Sequence, residues 1–115
     1  MSDYQAKAKA VSSGAAALRK AHPEAMAAFA SLGAAAYGDG VLDHKTKELI
    51  ALAISIAVRC DGCVAAHGRS VHQLGASREE VAEVIGVAIH MGGGPSMVYG
   101  AEALRAYDAF AAEGT

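Results

Sequence analysis

The chain has 115 residues, enough for one domain, and a net charge of −2 at pH 7 that is spread along its length. Its basic residues occur only in small groups, which excludes the basic face of a typical nucleic-acid-binding protein. No apolar run approaches the roughly 20 residues that a membrane helix needs, and residues 1–10 lack the apolar core of a secretion signal. We therefore expect a cytoplasmic protein with neither a nucleic-acid nor a membrane partner.

Alanine dominates the composition, with 28 Ala against 21 Val, Ile and Leu combined. Ala is the strongest helix former, and its small side chain lets helices pack closely. It also buries little apolar area, whereas folding must offset roughly 1.5 kcal/mol of ordering entropy per residue. We therefore expect the chain to bury further area against copies of itself, as a homo-oligomer.

The spacing of proline, glycine and helix-capping residues predicts an all-α fold. We expect a single-domain bundle of about six helices over residues 1–115, with no convincing strand. Pro23 suits the first turn of a helix, Asp43 is a good N-cap, and Ser77 with Glu80 has the spacing of a capping box. Gly75 is the expected C-terminal cap of the fourth helix. The predicted helices are approximately Ser2–Ala21, Pro23–Tyr37, Asp43–Val58, Cys60–Leu74, Ser77–Met91 and Pro95–Glu113.

The third predicted helix is apolar at every position from Leu49 to Val58 except Ser55. A helix that is hydrophobic around most of its circumference is buried on most sides. We therefore expect it at the centre of the fold, covered partly by neighbouring subunits. A buried strand would show a similar apolar run, but the length, the N-cap and the polar residues 45–48 favour a helix.

Cys60 and Cys63 form the core of the predicted site. At this spacing, at the start of a helix, two cysteines can close a disulfide with little backbone movement. The unpaired N–H groups and the dipole of the helix favour the thiolate, and such motifs lower the pKa of a cysteine. In a cytoplasmic protein a cysteine pair is more often catalytic or metal-binding than structural. The spacing alone leaves redox chemistry and metal binding open.

His67 and Glu48 extend this site. His67 follows Cys63 by four residues, so the two side chains share one helix face. An imidazole there can accept the thiol proton or stabilise the thiolate, as nucleophilic catalysis requires. Glu48 begins an otherwise apolar helix, where a carboxylate needs a partner or a raised pKa. The alternative is an exposed carboxylate that interacts with the helix dipole.

The spacing of Glu48, Cys60, Cys63 and His67 resembles the signature of the alkyl hydroperoxidase D core of the carboxymuconolactone decarboxylase-like superfamily. Segments 42–53, 59–63 and 90–95 resemble it too, and the similarity extends over about residues 25–109. The resemblance implies an all-helical protomer that assembles into trimers or hexamers. We expect a hexamer, with a trimer as second choice.

The resemblance also implies a thiol cycle that reduces hydroperoxides while the cysteine pair oxidises to a disulfide. Cys63 would be the attacking thiol, Cys60 the resolving thiol, His67 the proton acceptor and Glu48 its carboxylate partner. In thioredoxin-like motifs the first cysteine usually attacks, but Cys60 lies nearly two turns from His67 and Cys63 only one. We expect a small-molecule hydroperoxide or a disulfide as the substrate, and no cofactor beyond the Cys60–Cys63 disulfide. The expected reductant is a dithiol, either a lipoyl protein, as in the longer relatives, or a thioredoxin-like protein.

Three alternatives stay open. One is a zinc site made of Cys60, Cys63 and His67 with His72 or His90 as a fourth ligand. Another is a non-redox enzyme of the carboxymuconolactone decarboxylase type on the same fold, which would not need the cysteines. The last is a non-enzymatic, redox-sensing oligomeric module. The other histidines are interpreted as ordinary surface or satisfied residues: His22, His44 and His72.

Overall fold

The computed structural model describes residues 3–113 and confirms the predicted all-α fold. Apart from the start of the first helix at Ser2, which lies outside the described residues, each predicted helix end agrees with the structure to within a residue. None of the described helices is long and apolar enough to cross a membrane. The six helices are α1 Asp3–Ala21, α2 Pro23–Tyr37, α3 His44–Ala57, α4 Asp61–Gln73, α5 Arg78–Gly92 and α6 Gly94–Ala112.

The predicted caps explain why these helices begin where they do. The side chain of Asp43 accepts a hydrogen bond from the backbone N–H of Thr46 at 2.8 Å, at the start of α3. Ser77 and Glu80 form a complete capping box at the start of α5, in which each side chain accepts from the other's backbone N–H. Such caps satisfy N–H groups that have no partner inside the helix.

The core of the domain lies between α3, α4, α5 and α6. Gly68 lets α4 approach α6 closely, because a Cβ atom at that position would lie 3.1 Å from the Cβ of Ala106. The hydroxyl of Tyr107 on α6 donates to the carbonyl of Ala76 at 2.7 Å, which ties α6 to the connection between α4 and α5. The larger side chains of this buried cluster are Leu49, Leu52, Ile56, Val64, Val71, Val81, Ile85 and Tyr107.

The opposite face of α3 is open in a single chain. Ile50 is 45% exposed and Ile54 is 57% exposed, although both belong to the apolar run of this helix. The neighbouring helix α2 buries no residue, and its Phe29 is 70% exposed. The third helix is thus buried on one face only, and its cover by neighbouring subunits stays a prediction.

The turn between α3 and α4 sets the position of the cysteine motif. The N–H of Arg59 donates to the carbonyl of Ile56 at 3.2 Å, and the N–H of Cys60 donates to the carbonyl of Ser55 at 3.0 Å. This pair of bonds is a Schellman motif, which requires a left-handed residue and usually has glycine there. Arg59 occupies that position with a φ of 59°, which costs about 1–2 kcal/mol for a residue with a side chain.

The end of α4 repeats the same turn with the expected residue. Gly75 has a φ of 84°, and its N–H donates to the carbonyl of His72 at 3.0 Å. The N–H of Ala76 donates to the carbonyl of Val71 at 2.9 Å. Residues 3–113 therefore contain two matched turns. Of these, the turn before the cysteine motif carries a side chain at the left-handed position, and the other has glycine.

Arg59→Gly should raise the free energy of unfolding by about 0.5–1 kcal/mol. The substitution removes a strain of about 1–2 kcal/mol, and the greater freedom of glycine in the unfolded chain offsets part of that gain. Gly75→Ala, the matched control, should lower the free energy of unfolding by about 1 kcal/mol for the opposite reason. Urea denaturation of the oxidised proteins, followed by circular dichroism, measures both. An Arg59→Gly variant that is less stable than the parent would contradict this assignment of strain.

Candidate functional site

Cys60 and Cys63 lie where the chain turns from α3 into α4. A disulfide joins them, with their Cα atoms 5.1 Å apart. Cys60 is the N-cap of α4, and its Sγ accepts a hydrogen bond from the N–H of Cys63 at 3.3 Å. The sulfur atoms therefore lie at the positive end of a helix dipole, which favours a thiolate once the disulfide is reduced.

Glu48 and His67 meet across the interface of α3 and α4. The Nδ1 of His67 donates to Oε2 of Glu48 over 2.7 Å. Glu48 is 8% exposed, so the alternative of an exposed carboxylate is wrong. Because Nδ1 carries the proton of this hydrogen bond, the neutral imidazole keeps Nε2 unprotonated and able to accept a proton. The contact thus fixes both the orientation of His67 and its tautomer.

A cavity of about 220 Å³ opens beside Cys63 and His67. Ala51, Ile54 and Val58 give it a largely apolar wall. This volume is small for a ligand pocket, so the cavity suits a small organic substrate better than a large one. Its apolar wall favours an alkyl or aryl group over an ionic one.

Tyr37 is a site residue that the sequence analysis missed. It ends α2, lines the same cavity, and stacks on the ring of His67 with the ring centroids 6.4 Å apart and an angle of 28° between the planes. Burial, together with the negative charge of Glu48, raises the pKa of Tyr37 above its ordinary value. The phenol therefore stays protonated at neutral pH. No motif in the sequence signals this role, because α2 reaches the site only through the folded α2–α3 connection.

His44 also faces the site, although its side chain is 44% exposed. Its Nε2 lies 3.8 Å from Oε1 of Glu48, the oxygen that His67 does not bind. The interpretation of His44 as an ordinary surface histidine is therefore incomplete. Its spacing of four residues from Glu48 was the available signal, since such residues share a helix face.

His22 and His72, which were also interpreted as ordinary histidines, differ from each other. His22 is exposed and caps α2, where its Nδ1 accepts a hydrogen bond from the N–H of Ala25 at 3.3 Å. His72 is half-buried, and its ring packs edge-on against Tyr107 with centroids 5.4 Å apart. Its buried Nδ1 has no hydrogen-bond partner among the described residues. The interpretation holds for His22, but His72 is neither a surface histidine nor a satisfied one.

The first helix supports the cysteine motif from behind. Lys7 on α1 forms an ion pair with Asp61 at 3.0 Å, and Asp61 is the residue that follows Cys60. A Cβ atom on Gly62 would lie 2.8 Å from the Cγ2 atom of Val11, so α1 packs directly on the backbone between the two cysteines. A side chain at position 62 would therefore force Val11 to move.

Metal binding finds no geometric support in this arrangement. Within residues 3–113, no group of three or more His, Cys, Asp or Glu side chains is placed to hold a metal ion. His90, one of the two histidines considered as a fourth zinc ligand, is exposed near the end of α5.

Comparisons with known proteins agree with this fold. The model of the carboxymuconolactone decarboxylase family matches residues 23–106. An uncharacterized protein of Cupriavidus necator is 44% identical over 93 residues, which cover 81% of this chain and 82% of the relative. An uncharacterized protein from the cox locus of Paracoccus denitrificans is 35% identical over 81 residues, or 70% of this chain and 73% of the relative.

Two solved structures are similar over most of their length. A carboxymuconolactone decarboxylase family protein from Legionella pneumophila superposes with a TM-score of 0.91 at 47% identity, covering 93% of this chain and 96% of that chain. A family protein from Thermotoga maritima superposes with a TM-score of 0.68 at 31% identity, covering 83% and 87%. The description of the Thermotoga protein links it, as a possibility, to an antioxidative response.

Proposed function

This chain belongs to the carboxymuconolactone decarboxylase family and holds a Cys-x-x-Cys pair beside a buried Glu–His pair, and from these two facts we propose that it is a thiol-dependent peroxidase. In this proposal it is a peroxiredoxin-type alkylhydroperoxidase, which reduces hydroperoxides and is regenerated by a dithiol. The observation that carries the proposal is the 2.7 Å contact between His67 and Glu48. This contact orients an imidazole that lines the same cavity as Cys63.

The oxidative step begins at Cys63. Nε2 of His67 accepts the thiol proton, and the negative charge of Glu48 stabilises the imidazolium that results. The Cys63 thiolate attacks one oxygen of the hydroperoxide. A sulfur–oxygen bond forms while the oxygen–oxygen bond breaks, and the departing alkoxide takes the proton from His67 to leave as an alcohol. Cys63 is then a sulfenic acid.

Cys60 completes the cycle as the resolving thiol. Its thiolate attacks the sulfenic sulfur of Cys63, the disulfide forms, and the hydroxide leaves as water with the proton from the Cys60 thiol. Two thiols thereby supply the two electrons that reduce the hydroperoxide. A dithiol, carried by a lipoyl protein or a thioredoxin-like protein, then reduces the disulfide by thiol–disulfide exchange. Cys63 lines the cavity, whereas Cys60 caps the helix. This difference in position supports the division of roles.

We also propose that the chain assembles into a homo-oligomer. A hexamer is the first choice and a trimer the second. Ile54 is 57% exposed, Val87 is 64% exposed and Met91 is 75% exposed in a single chain. These side chains line adjoining apolar grooves of about 380 and 170 Å³ on α3 and α5. Contiguous apolar surface of this kind is typical of protein–protein contacts.

Glu48 and His67 should act as one proton-transfer unit, so their losses should not add. We expect His67→Gln to slow the reaction of Cys63 with hydroperoxide by about 10²–10⁴-fold, as for a lost general base. Glu48→Gln should slow it less, because the imidazole remains but loses its orienting partner. The double variant should be little slower than His67→Gln alone. Stopped-flow measurement of the reduced proteins, together with the pH-rate profile of Cys63 alkylation, gives these values.

Glu79→Gln is the matched control for that series. Glu79 is an exposed carboxylate in the first turn of α5, so its loss removes only a helix-dipole interaction of about 0.3–1 kcal/mol. We expect no change in its rate profile. If Glu48→Gln behaves like Glu79→Gln, with a lower melting temperature and an unaltered profile, Glu48 is structural and the proton-transfer unit does not exist.

Val87→Asp should lower the mass of the native particle measured by light scattering at micromolar concentration. A charge placed in an apolar contact must be desolvated on association, which disfavours assembly. Leu18→Asp on α1 is the comparison, since Leu18 is 56% exposed and lies on a different helix. The unsubstituted protein should scatter as a hexamer or trimer. A stable monomer near 11.6 kDa would refute the proposed assembly.

A further inference from the structure

The Glu48 carboxylate is shared between two imidazoles. His67 binds Oε2 at 2.7 Å, and Nε2 of His44 lies 3.8 Å from Oε1. Among residues 3–113 these two histidines are the groups that form an ion pair with Glu48. The proposed cycle uses only His67, so His44 is a titratable group beside the site that has no role in it.

The three side chains form a path from solvent towards the cavity. The exposed fraction of the side chain is 44% for His44, 10% for Glu48 and 26% for His67. Tyr37 lies near both imidazoles, with its ring centroid 6.2 Å from that of His44 and 6.4 Å from that of His67. Because Glu48 is buried, water screens its charge less than it would screen the charge of an exposed carboxylate.

We propose that His44 is a positioning residue that makes the site responsive to pH, because its protonated imidazole competes with His67 for the Glu48 carboxylate. When His44 is neutral, Glu48 stabilises the imidazolium of His67 alone, and His67 is a strong base towards Cys63. When His44 takes up a proton, part of the carboxylate charge is neutralised, and the second positive charge disfavours protonation of His67. Acidification therefore weakens the base twice, once through His67 itself and once through His44.

The remaining charges around His44 leave this competition in place. The neighbouring lysines are engaged elsewhere, since Lys45 pairs with Glu80 at 3.1 Å and Lys47 donates to the carbonyl of Gly38 at 2.6 Å. Asp39 accepts the backbone N–H of His44 at 2.8 Å. The titratable groups that face or adjoin His44 are Tyr37 on α2, Asp39 and Asp43 before α3, Glu48 on α3 and, across Glu48, His67 on α4.

His44→Gln and His44→Lys test the proposal as a pair, because one side chain is always neutral and the other always cationic. The reduced proteins are alkylated with iodoacetamide, and the rate at Cys63 is followed by peptide mass spectrometry at about pH 5.5 and about pH 8, on either side of the ordinary imidazole pKa. At the higher pH the parent should match His44→Gln, and His44→Lys should be about three- to tenfold slower. At the lower pH the parent should instead match His44→Lys, and both should be slower than His44→Gln.

The second measurement is the titration of the His67 ring by nuclear magnetic resonance. Its midpoint should lie at lower pH in His44→Lys than in His44→Gln by about half a pH unit or more. His90→Gln, which changes an exposed histidine on α5, is the control and should match the parent in both experiments. Equal rate ratios at both pH values, or one His67 midpoint in both variants, would overturn the proposal.

The inference rests on the proposed function for its biological meaning, but its test uses no peroxide. If the rates cross as expected while the protein fails to reduce hydroperoxides, the coupling of His44 to the site stands and the peroxidase assignment falls. If hydroperoxide is reduced but the parent and both variants keep the same pH profile, only the role of His44 is refuted.

Discussion

A buried carboxylate without a partner is costly, and Glu48 is buried in the interface between α3 and α4. Its contact with His67 offsets that cost only if the two helices keep their relative position, since a hydrogen bond of 2.7 Å tolerates little displacement. The apolar side chains of α3 and α4 on the core side hold this position. The contact thus links the stability of the helix pair to the chemistry of the cavity beside it.

The cysteine motif follows the turn that joins α3 to α4, and this turn contains a residue with a strained backbone conformation. Arg59 holds a left-handed conformation that its matched counterpart, Gly75, adopts without strain. Strain of this kind persists where the surrounding structure determines the conformation, and it is common beside functional sites. Here α1 adds a further constraint, because Val11 packs on Gly62 and Lys7 pairs with Asp61. The turn before the cysteines and the helix behind them together fix where Cys60 and Cys63 lie.

Much of this arrangement could be predicted from the sequence, because it depends on local chemistry. The caps at Asp43 and Ser77 set the starts of their helices, and the spacing of Cys63 and His67 determines that they share one helix face. The contact of Glu48 with His67 could be anticipated only through family resemblance, since the residues come from two helices. Their roles in the proposed cycle stay predictions that the arrangement supports.

The remaining parts depend on tertiary packing that no local pattern encodes. Tyr37 reaches the cavity because α2 ends beside α3. Since α2 has no buried residue, its sequence pattern does not show where the helix packs. The spacing of His44 from Glu48 places both on one helix face, but it points to the site only once Glu48 is known to be buried. The apolar run of α3 predicted burial on most sides, whereas a single chain covers one face and leaves Ile50 and Ile54 open.

The thiol cycle is tested most directly by a single-turnover titration of the fully reduced protein with an organic hydroperoxide. The proposed function predicts that each chain converts one equivalent of hydroperoxide to its alcohol and loses two hydrogens within the peptide that contains Cys60 and Cys63. Reduction of the product with a dithiol should restore both thiols. Unreacted hydroperoxide beside intact thiols, or disulfides that form only between chains, would contradict the assignment of this site as a thiol peroxidase.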